Sequence, residues 1–169
     1  LFELADFNPF LNRASIRRFY PGLRMYGSDF AMPLRWFTVK GEASWYGHKD
    51  REAEQFVLWV TQLERIKGEW TFVGGYAGEI VTRATANPLF FAPDRGLAKA
   101  FLGRAAYNID ANRSIAFDAA VRQNGDGSLL RFEYSHAIGQ HWRATAGANP
   151  IRGEPRDFLG QYRRNSGAT

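Results

Sequence analysis

Charged side chains of opposite sign recur two residues apart in this chain. Lys40 and Glu42 form one such pair, and Arg131 and Glu133 form another. Residues i and i+2 lie on the same side of an extended chain, so each pair places a cation beside a carboxylate. Groups arranged in this way can neutralise one another across a wet surface, or can orient a polar solute that passes between them.

The residue types needed for nucleophilic or acid–base catalysis are few. His48 lies in a charged loop, His141 lies in or near a short turn, and His136 follows Ser135. Because neighbours in an extended strand point to opposite sides, Ser135 and His136 cannot act together as nucleophile and base. We therefore predict no catalytic residue, no cofactor and no enzyme activity.

Two other motifs have alternative interpretations as ligand sites. Gly74, Gly75 and Gly78 lie within a strand pattern and open no helix, so small residues in a crowded wall explain them better than a phosphate loop. Asp126 in "NGDGS" could offer a carboxylate to calcium, but it has no companion and a turn explains the motif better. The chain has no Cys, which excludes thiolate metal sites. We predict no metal site.

Eight stretches of alternating apolar and polar residues predict the elements that position these side chains. A period of two indicates strands, and many of them approach the roughly 9 to 11 residues that a tilted strand needs to cross a bilayer. Tight turns and mostly longer loops alternate between them, which predicts an all-β, antiparallel up-and-down meander. The predicted strands cover 23–31, 35–47, 56–65, 69–80, 97–109, 141–149 and two segments within 113–137.

The two ends of the chain and one strand are less regular. Residues 1–19 are expected to form a loop or a short amphipathic helix that leads into the first strand. In the segment 97–109, Lys99 and Arg104 fall on opposite sides, so the alternation does not decide which side is apolar. Residues 1–169 are expected to form a single β-barrel domain or the C-terminal part of a larger barrel.

The alternation is compatible with two kinds of barrel. A water-soluble barrel has an apolar interior, whereas a membrane barrel has an apolar exterior and a polar interior. Three features favour the membrane barrel: both signs of charge at mid-strand, 18 Arg against 4 Lys, and aromatic residues near strand ends, as at membrane interfaces. These aromatic residues are Trp45, Tyr46, Trp70, Tyr107, Tyr134 and Trp142.

The two sides of the strands would then face lipid and lumen. The residues expected to face lipid are Ile115, Phe117, Val121, Leu130, Phe132, Tyr134 and Trp142. Nine charged residues are expected to line the lumen, acidic on balance in the earlier strands and basic on balance in the later ones. They are Lys40, Glu42, Glu64, Glu79, Asp118, Arg122, Arg131, Glu133 and Arg143. They would either create a transverse field that selects solutes or only neutralise one another in a narrow, plugged lumen.

Composition excludes several classes of protein. With 45% hydrophobic residues the chain is too apolar to be disordered. It contains no run of 18 or more apolar residues, so no transmembrane helix is expected. The net charge of +5 permits an anionic partner. Because the Arg residues are dispersed and no basic groove combines with stacking aromatics, we predict no nucleic-acid partner.

Four stretches carry a resemblance to a known family. "RWFTVKGEASWYG", "FVLWVTQLERIKGEWTFVGGYAGEI" and "LLRFEYSHAIGQHWRATAGAN", followed by "GEPRDFLGQYRRNS", resemble the C-terminal part of bacterial outer-membrane porin-like barrels. In that family a similar loop precedes a last strand that closes with an aromatic residue. The likeness covers most of residues 20–169. This chain departs from the pattern by ending in "SGAT", which leaves closure of the barrel open.

The resemblance implies a pore of the bacterial outer membrane that passes small polar solutes through a charged lumen. Its partners would be membrane lipid and those solutes, and a homo-oligomer is compatible with it. Arg122, Arg131 and Arg143 would confer a mild preference for anions. Two alternatives stay open: a soluble ligand-binding β-barrel, and a non-conducting membrane barrel with a structural or adhesion role.

Overall fold

Strands make up most of the chain in the computed structural model. The structure describes residues 2–8, 13–18, 22–49, 53–85, 90–91, 95–123, 127–155 and 157–168. The strands in these ranges are β1 (Phe2–Asn8), β2 (Arg13–Arg18), β3 (Leu23–Pro33), β4 (Thr38–His48), β5 (Gln55–Lys67), β6 (Trp70–Arg83), β7 (Phe90–Phe91), β8 (Ala100–Asn108), β9 (Arg113–Arg122), β10 (Ser128–Ile138), β11 (Trp142–Asn149), β12 (Ile151–Arg152) and β13 (Gly167–Ala168).

The larger sheet is an antiparallel meander. Its strand order is β13-β11-β10-β9-β8-β6-β5-β4-β3, with β12 paired to β10, and a smaller sheet has the order β2-β1-β7. The predicted all-β, up-and-down antiparallel fold is therefore confirmed, and all eight predicted strands are present as β3–β6 and β8–β11. Among the described residues β3 and β13 do not pair with each other, so the sheet is not closed and is compatible with a fragment of a barrel.

Helical structure is confined to a 3-10 turn at Gly160–Asn165 within the described ranges. The described residues contain no helix that could span a membrane. The turn belongs to the loop that follows β11, and this loop also contributes β12 and β13. The loop contacts the sheet, because β13 pairs with the end of β11.

The prediction for residues 1–19 was wrong where the structure describes them. Instead of a loop or a short helix, residues 2–8 and 13–18 form β1 and β2, which pair antiparallel from Phe2 opposite Arg18 to Asn8 opposite Arg13. The local helical pattern is a weak signal, and the pairing of two neighbouring segments overrides it here.

The chain divides into two compact units, and strands β3 to β6 contribute residues to both. The first unit consists of Leu1–Ser28, Ala43–Leu58 and Glu79–Asp94, and the second of Asp29–Glu42, Trp59–Gly78 and Arg95–Thr169. In the first unit, the His48 carbonyl accepts hydrogen bonds from Arg83 at 3.0 Å and from Gln55 at 3.2 Å. Arg83 also donates to the Ala53 carbonyl at 3.2 Å.

The register of the central strands assigns their side chains to two faces. Phe72 of β6 is in register with Ala105, which is opposite Phe117, which is opposite Phe132. Directly opposed residues of an antiparallel pair share a face, so these side chains form one row. We call the side that carries this row the apolar face. The opposite side, which carries Arg104, Asp118, Arg131 and Glu133, is the polar face.

The apolar face is exposed. The exposed fractions are 56% for Phe101, 48% for Phe132 and 77% for Trp142. Of the seven residues predicted to face outward, Ile115, Val121, Phe132, Tyr134 and Trp142 are exposed, and Phe117 and Leu130 are half-buried. They do not converge on a closed interior.

Little apolar surface is buried elsewhere in the described part of the chain. The buried hydrophobic residues are small or isolated: Ala53, Ala98, Ala100, Ala120 and Leu159. No large side chain there is fully buried. Contacts between rings on the apolar face, such as the 4.8 Å separation of Phe117 and Phe132, contribute about 0.2–1 kcal/mol each. The described sheet therefore has no conventional hydrophobic core.

Three glycines of β6, Gly74, Gly75 and Gly78, differ in the space around them. A Cβ atom at Gly75 would lie 2.6 Å from the Thr61 carbonyl oxygen, and one at Gly78 would lie 2.3 Å from the Trp59 indole. A Cβ atom at Gly74 would meet nothing within 4 Å. The interpretation of these glycines as small residues in a crowded wall therefore holds for Gly75 and Gly78 but not for Gly74.

Substitution of the two adjacent glycines is expected to have opposite consequences. Gly75→Ala should lower the free energy of unfolding by about 1–3 kcal/mol, because the neighbouring backbone must move to admit the methyl group. Gly74→Ala is the matched control and should be neutral or slightly stabilising. Urea unfolding followed by circular dichroism measures both, and equal losses for the two variants would contradict the crowding at Gly75.

Candidate functional site

The polar face brings together charged residues from most strands of the second unit. Asp118 of β9 is opposite both Arg104 of β8 and Arg131 of β10. Arg104 Nη1 donates to Asp118 Oδ1 at 2.9 Å, and Arg131 donates to Glu133. Four charges of alternating sign therefore lie side by side across three neighbouring strands.

These ion pairs are exposed to solvent. The side chains of Arg104 and Arg131 are 49% and 56% exposed, and those of Asp118 and Glu133 are 32% and 31% exposed. Exposed pairs of this kind each stabilise a fold by about 0–1 kcal/mol. Their main effect is to hold the guanidinium groups against the sheet.

A shallow depression lies beside these pairs. It has a volume of about 480 Å3, and its polar lining comes from Gln62, Arg104, Asp118 and Arg131, with small and aliphatic residues between them. The depression has room for small polar molecules, and both charges of the Arg104–Asp118 pair border it. Any solute in it would meet donors and acceptors together.

The earlier strands carry an acidic group of side chains on the same face. Lys40 Nζ lies 2.7 Å from Glu64 Oε2. Asp29 and Glu42 line an adjacent depression of about 220 Å3 together with Lys40. Among the described residues neither Asp29 nor Glu42 is ion-paired. Three carboxylates therefore accompany one ammonium group here.

A third depression lies at the short-turn end of the strands. It has a volume of about 650 Å3 and is lined by Glu69, Asp110, Arg113, Ser135 and Arg143, with residues of the β8–β9 turn. Arg143 donates to Ser135 Oγ over 3.4 Å. Within the described part of the chain Arg143 has no carboxylate partner.

Arg122 and Glu79 were also predicted to line the lumen. Arg122, at the end of β9, is 9% exposed and donates to the Gly96 carbonyl at 2.6 Å. Glu79 lies on β6 in the first unit and is half-buried. The other seven predicted residues, Lys40, Glu42, Glu64, Asp118, Arg131, Glu133 and Arg143, all lie in the second unit.

Arg104 and Asp29 lie on the polar face but were not among the residues predicted to line the lumen. In the sequence, Lys99 and Arg104 fell on opposite sides of the predicted strand, so its polar side could not be assigned. In the structure Lys99 has a φ of 60° and lies in a turn before β8 begins. Without Lys99, the alternation of Phe101 and Tyr107 with Arg104 identifies the polar side of β8. Asp29 lies on the least regular of the predicted strands, and no sequence signal beyond its charge distinguishes it.

The structure describes Ser135 and the three His residues that were considered for catalysis. Ser135 is buried and its neighbour His136 is opposite Ala144, on the other face of β10. His141 is exposed in the turn before β11, and His48 lies in the first unit. Asp126 lies outside the described residues. No three His, Asp or Glu side chains in the described segments are placed to hold a metal ion.

The chain was compared with known protein families, sequences and structures. No protein-family model, no curated protein sequence and no solved structure matches this chain.

The β8–β9 turn provides a pH-dependent contribution to stability. Asp110 accepts hydrogen bonds from Arg113 Nε at 2.6 Å and from the backbone N–H groups of Asn112 and Arg113 at 2.8 Å each. The side chain of Arg113, followed by the Asn112 N–H, holds the pKa of Asp110 below its ordinary value of 3.8. A depressed carboxyl pKa stabilises the fold above the ordinary pKa, and this contribution is lost as the pH falls through the folded-state pKa.

Substitution of Asp110 tests this contribution. Asp110→Asn retains an oxygen that can accept from the two backbone N–H groups but removes the charge that Arg113 contacts. The variant should be less stable than the wild type at pH 7, and the difference should shrink at low pH once the wild-type carboxyl is protonated. Urea midpoints at neutral and acidic pH measure it, and a pH-independent difference would refute the charge contribution.

Proposed function

We propose that this chain forms all or part of an outer-membrane β-barrel that passes small polar solutes along its polar face. In such a barrel the apolar face contacts lipid and the polar face lines the lumen. The protein would be located in the bacterial outer membrane, with lipid and solutes as its partners. The proposal includes no catalytic role and no cofactor.

The observation that carries the proposal is the exposed apolar face. Large side chains such as Phe101, Phe132 and Trp142 are exposed although they share one side of the sheet. Water-soluble proteins rarely expose contiguous apolar surface of this extent. Lipid covers such a surface in a membrane barrel, and the strands satisfy each other's backbone groups.

Aromatic side chains near the short turns support the same proposal. Trp70, at the start of β6, is in register with Tyr107 near the end of β8, and their rings are 4.7 Å apart. Tyr107 is opposite Ile115, which is opposite Tyr134. Tyr and Trp in such positions form the girdles of membrane barrels at the level of the lipid headgroups.

Two other functions remain as alternatives. A soluble ligand-binding barrel would require the apolar side chains to enclose an interior, and the described sheet exposes them instead. A non-conducting structural barrel is favoured by one observation, the mutual neutralisation of Arg104 by Asp118 and of Lys40 by Glu64. Such pairs can brace a wall without selecting any solute.

Recordings in planar bilayers separate these functions. The purified protein should insert and give discrete conductance steps if its lumen is open. Insertion without steps would support the structural barrel and contradict solute passage. Failure to insert, with a monodisperse protein in detergent-free buffer, would contradict the membrane location.

The ion preference would depend on charged groups of the polar face that have no ion-pair partner among the described residues. Such groups include Arg143 on the later strands and Asp29 and Glu42 on the earlier ones. Arg131 is paired with Glu133 and Arg122 is buried, so both should contribute less to the anion preference than Arg143 does. We therefore propose weak selectivity set by these opposed groups.

Neutralising one unpaired charge of each sign is expected to shift the selectivity in opposite directions. Arg143→Gln should raise the cation-to-anion permeability ratio, and Glu42→Gln should lower it, each by about twofold in a wet, salt-screened lumen. Neither change breaks an ion pair within the part of the chain that the structure describes, so each is the control for the other. Reversal potentials in a salt gradient measure both, and shifts of the same sign would contradict the assignment of these residues to the lumen.

A further inference from the structure

Two guanidinium groups converge on one exposed indole at the short-turn end of the second unit. Trp36 lies in the turn between β3 and β4 and is 62% exposed. The guanidinium carbon of Arg35 lies 5.3 Å from the centre of the Trp36 ring, and that of Arg65 lies 5.8 Å from it. These distances are within the range of cation–π contacts.

Both guanidinium groups have spare hydrogen-bonding capacity. Arg35 and Arg65 are exposed, and among the described residues neither is ion-paired with a carboxylate. The nearest carboxylate in sequence to Arg65 is Glu64, which binds Lys40 instead. A cation–π contact uses the face of the indole and leaves the N–H groups of each guanidinium free to donate.

The surroundings of this cluster are apolar and exposed. Leu63, two residues before Arg65 and therefore on the same side of β5, is 53% exposed, and Leu34 and Met32 are 46% and 48% exposed. A ligand that satisfies the whole surface must present an anion to the two guanidinium groups and hydrocarbon to these side chains. Free anions satisfy only the first requirement.

We propose that Arg35, Trp36 and Arg65 form a binding site for the phosphodiester headgroup of an anionic phospholipid. The two guanidinium groups donate to the phosphate oxygens, for which their planar geometry is suited. The indole lies at the headgroup level, and Leu34 and Leu63 contact the acyl chains. The site rests on the proposed membrane barrel and adds to it a preferred lipid in the leaflet next to the short turns.

Fluorescence quenching by brominated lipids tests the site. The full-length protein is inserted into phosphatidylcholine vesicles, and brominated phosphatidylglycerol is titrated in. The signal of Trp36 is obtained as the difference from the Trp36→Phe variant. Brominated phosphatidylcholine, titrated in the same way, reports contact with lipid that has no headgroup preference.

The expected result is quenching of Trp36 at a lower mole fraction of brominated phosphatidylglycerol than of brominated phosphatidylcholine. Arg35→Gln and Arg65→Gln should each raise the phosphatidylglycerol midpoint about fivefold, as expected for the loss of one cation near a lipid surface. Arg163→Gln/Arg164→Gln removes two cations from the exposed loop after β11 and should leave the midpoint unchanged.

The other outcomes separate the two proposals. Insertion into phosphatidylcholine with equal quenching by both lipids, or with a midpoint that the Arg35 and Arg65 variants do not move, would overturn the site and leave the barrel intact. Displacement by inorganic phosphate, against chloride of equal ionic strength, would overturn its assignment to lipid. Failure to insert into any vesicle would overturn the barrel and the site together.

Discussion

An apolar face without a covering layer is the constraint on which the other features of this sheet depend. Burial of apolar surface stabilises a fold by about 25 cal/mol per Å2, yet the described residues bury few large apolar side chains. The strands satisfy their backbone groups through the ladder, which does not depend on water. In the proposed membrane barrel, lipid on the apolar side would take the place that a hydrophobic core has in a water-soluble protein.

The same division explains how charged residues occupy mid-strand positions. Side chains alternate between the faces, so Arg104, Asp118 and Arg131 share a side from which the large aromatic side chains of those strands are absent. Within that side the charges pair, and the pairs hold the guanidinium groups in place. Among the described residues, Arg143, Asp29 and Glu42 are outside these pairs. In the proposed barrel the paired groups would therefore brace the wall, and these three residues would act on solutes.

The described Arg residues make contacts of different kinds. Arg104 pairs with a carboxylate, Arg122 donates to the carbonyl of Gly96, and the guanidinium group of Arg35 lies over the Trp36 ring. A planar guanidinium group with five N–H donors is suited to all of these contacts. In the proposed barrel one residue type would therefore serve the lumen side, a loop contact and the lipid contact.

The sequence by itself determined the eight strands β3–β6 and β8–β11, their antiparallel order and, outside β8, most of the composition of each face. These features are local, because a period of two, tight turns and Gly/Pro-rich loops are readable within a short stretch of chain. Most charged residues of the polar face, including Asp118, Arg131 and Glu133, were predicted for this reason. The sequence predicts a function only as a class, since the selectivity of the proposed pore would depend on which charges find partners.

Tertiary structure alone decided the pairing. The register of β8 against β9 brings Arg104 to Asp118. The sequence did not predict this contact, because Lys99 obscured which side of β8 is polar. The pairing of β1 with β7 and the burial of Arg122 against Gly96 likewise depend on partners far along the chain. Alternation specifies the side of a strand on which a residue lies, whereas register and loop packing specify its neighbours, and these long-range contacts leave no periodic signal in the sequence.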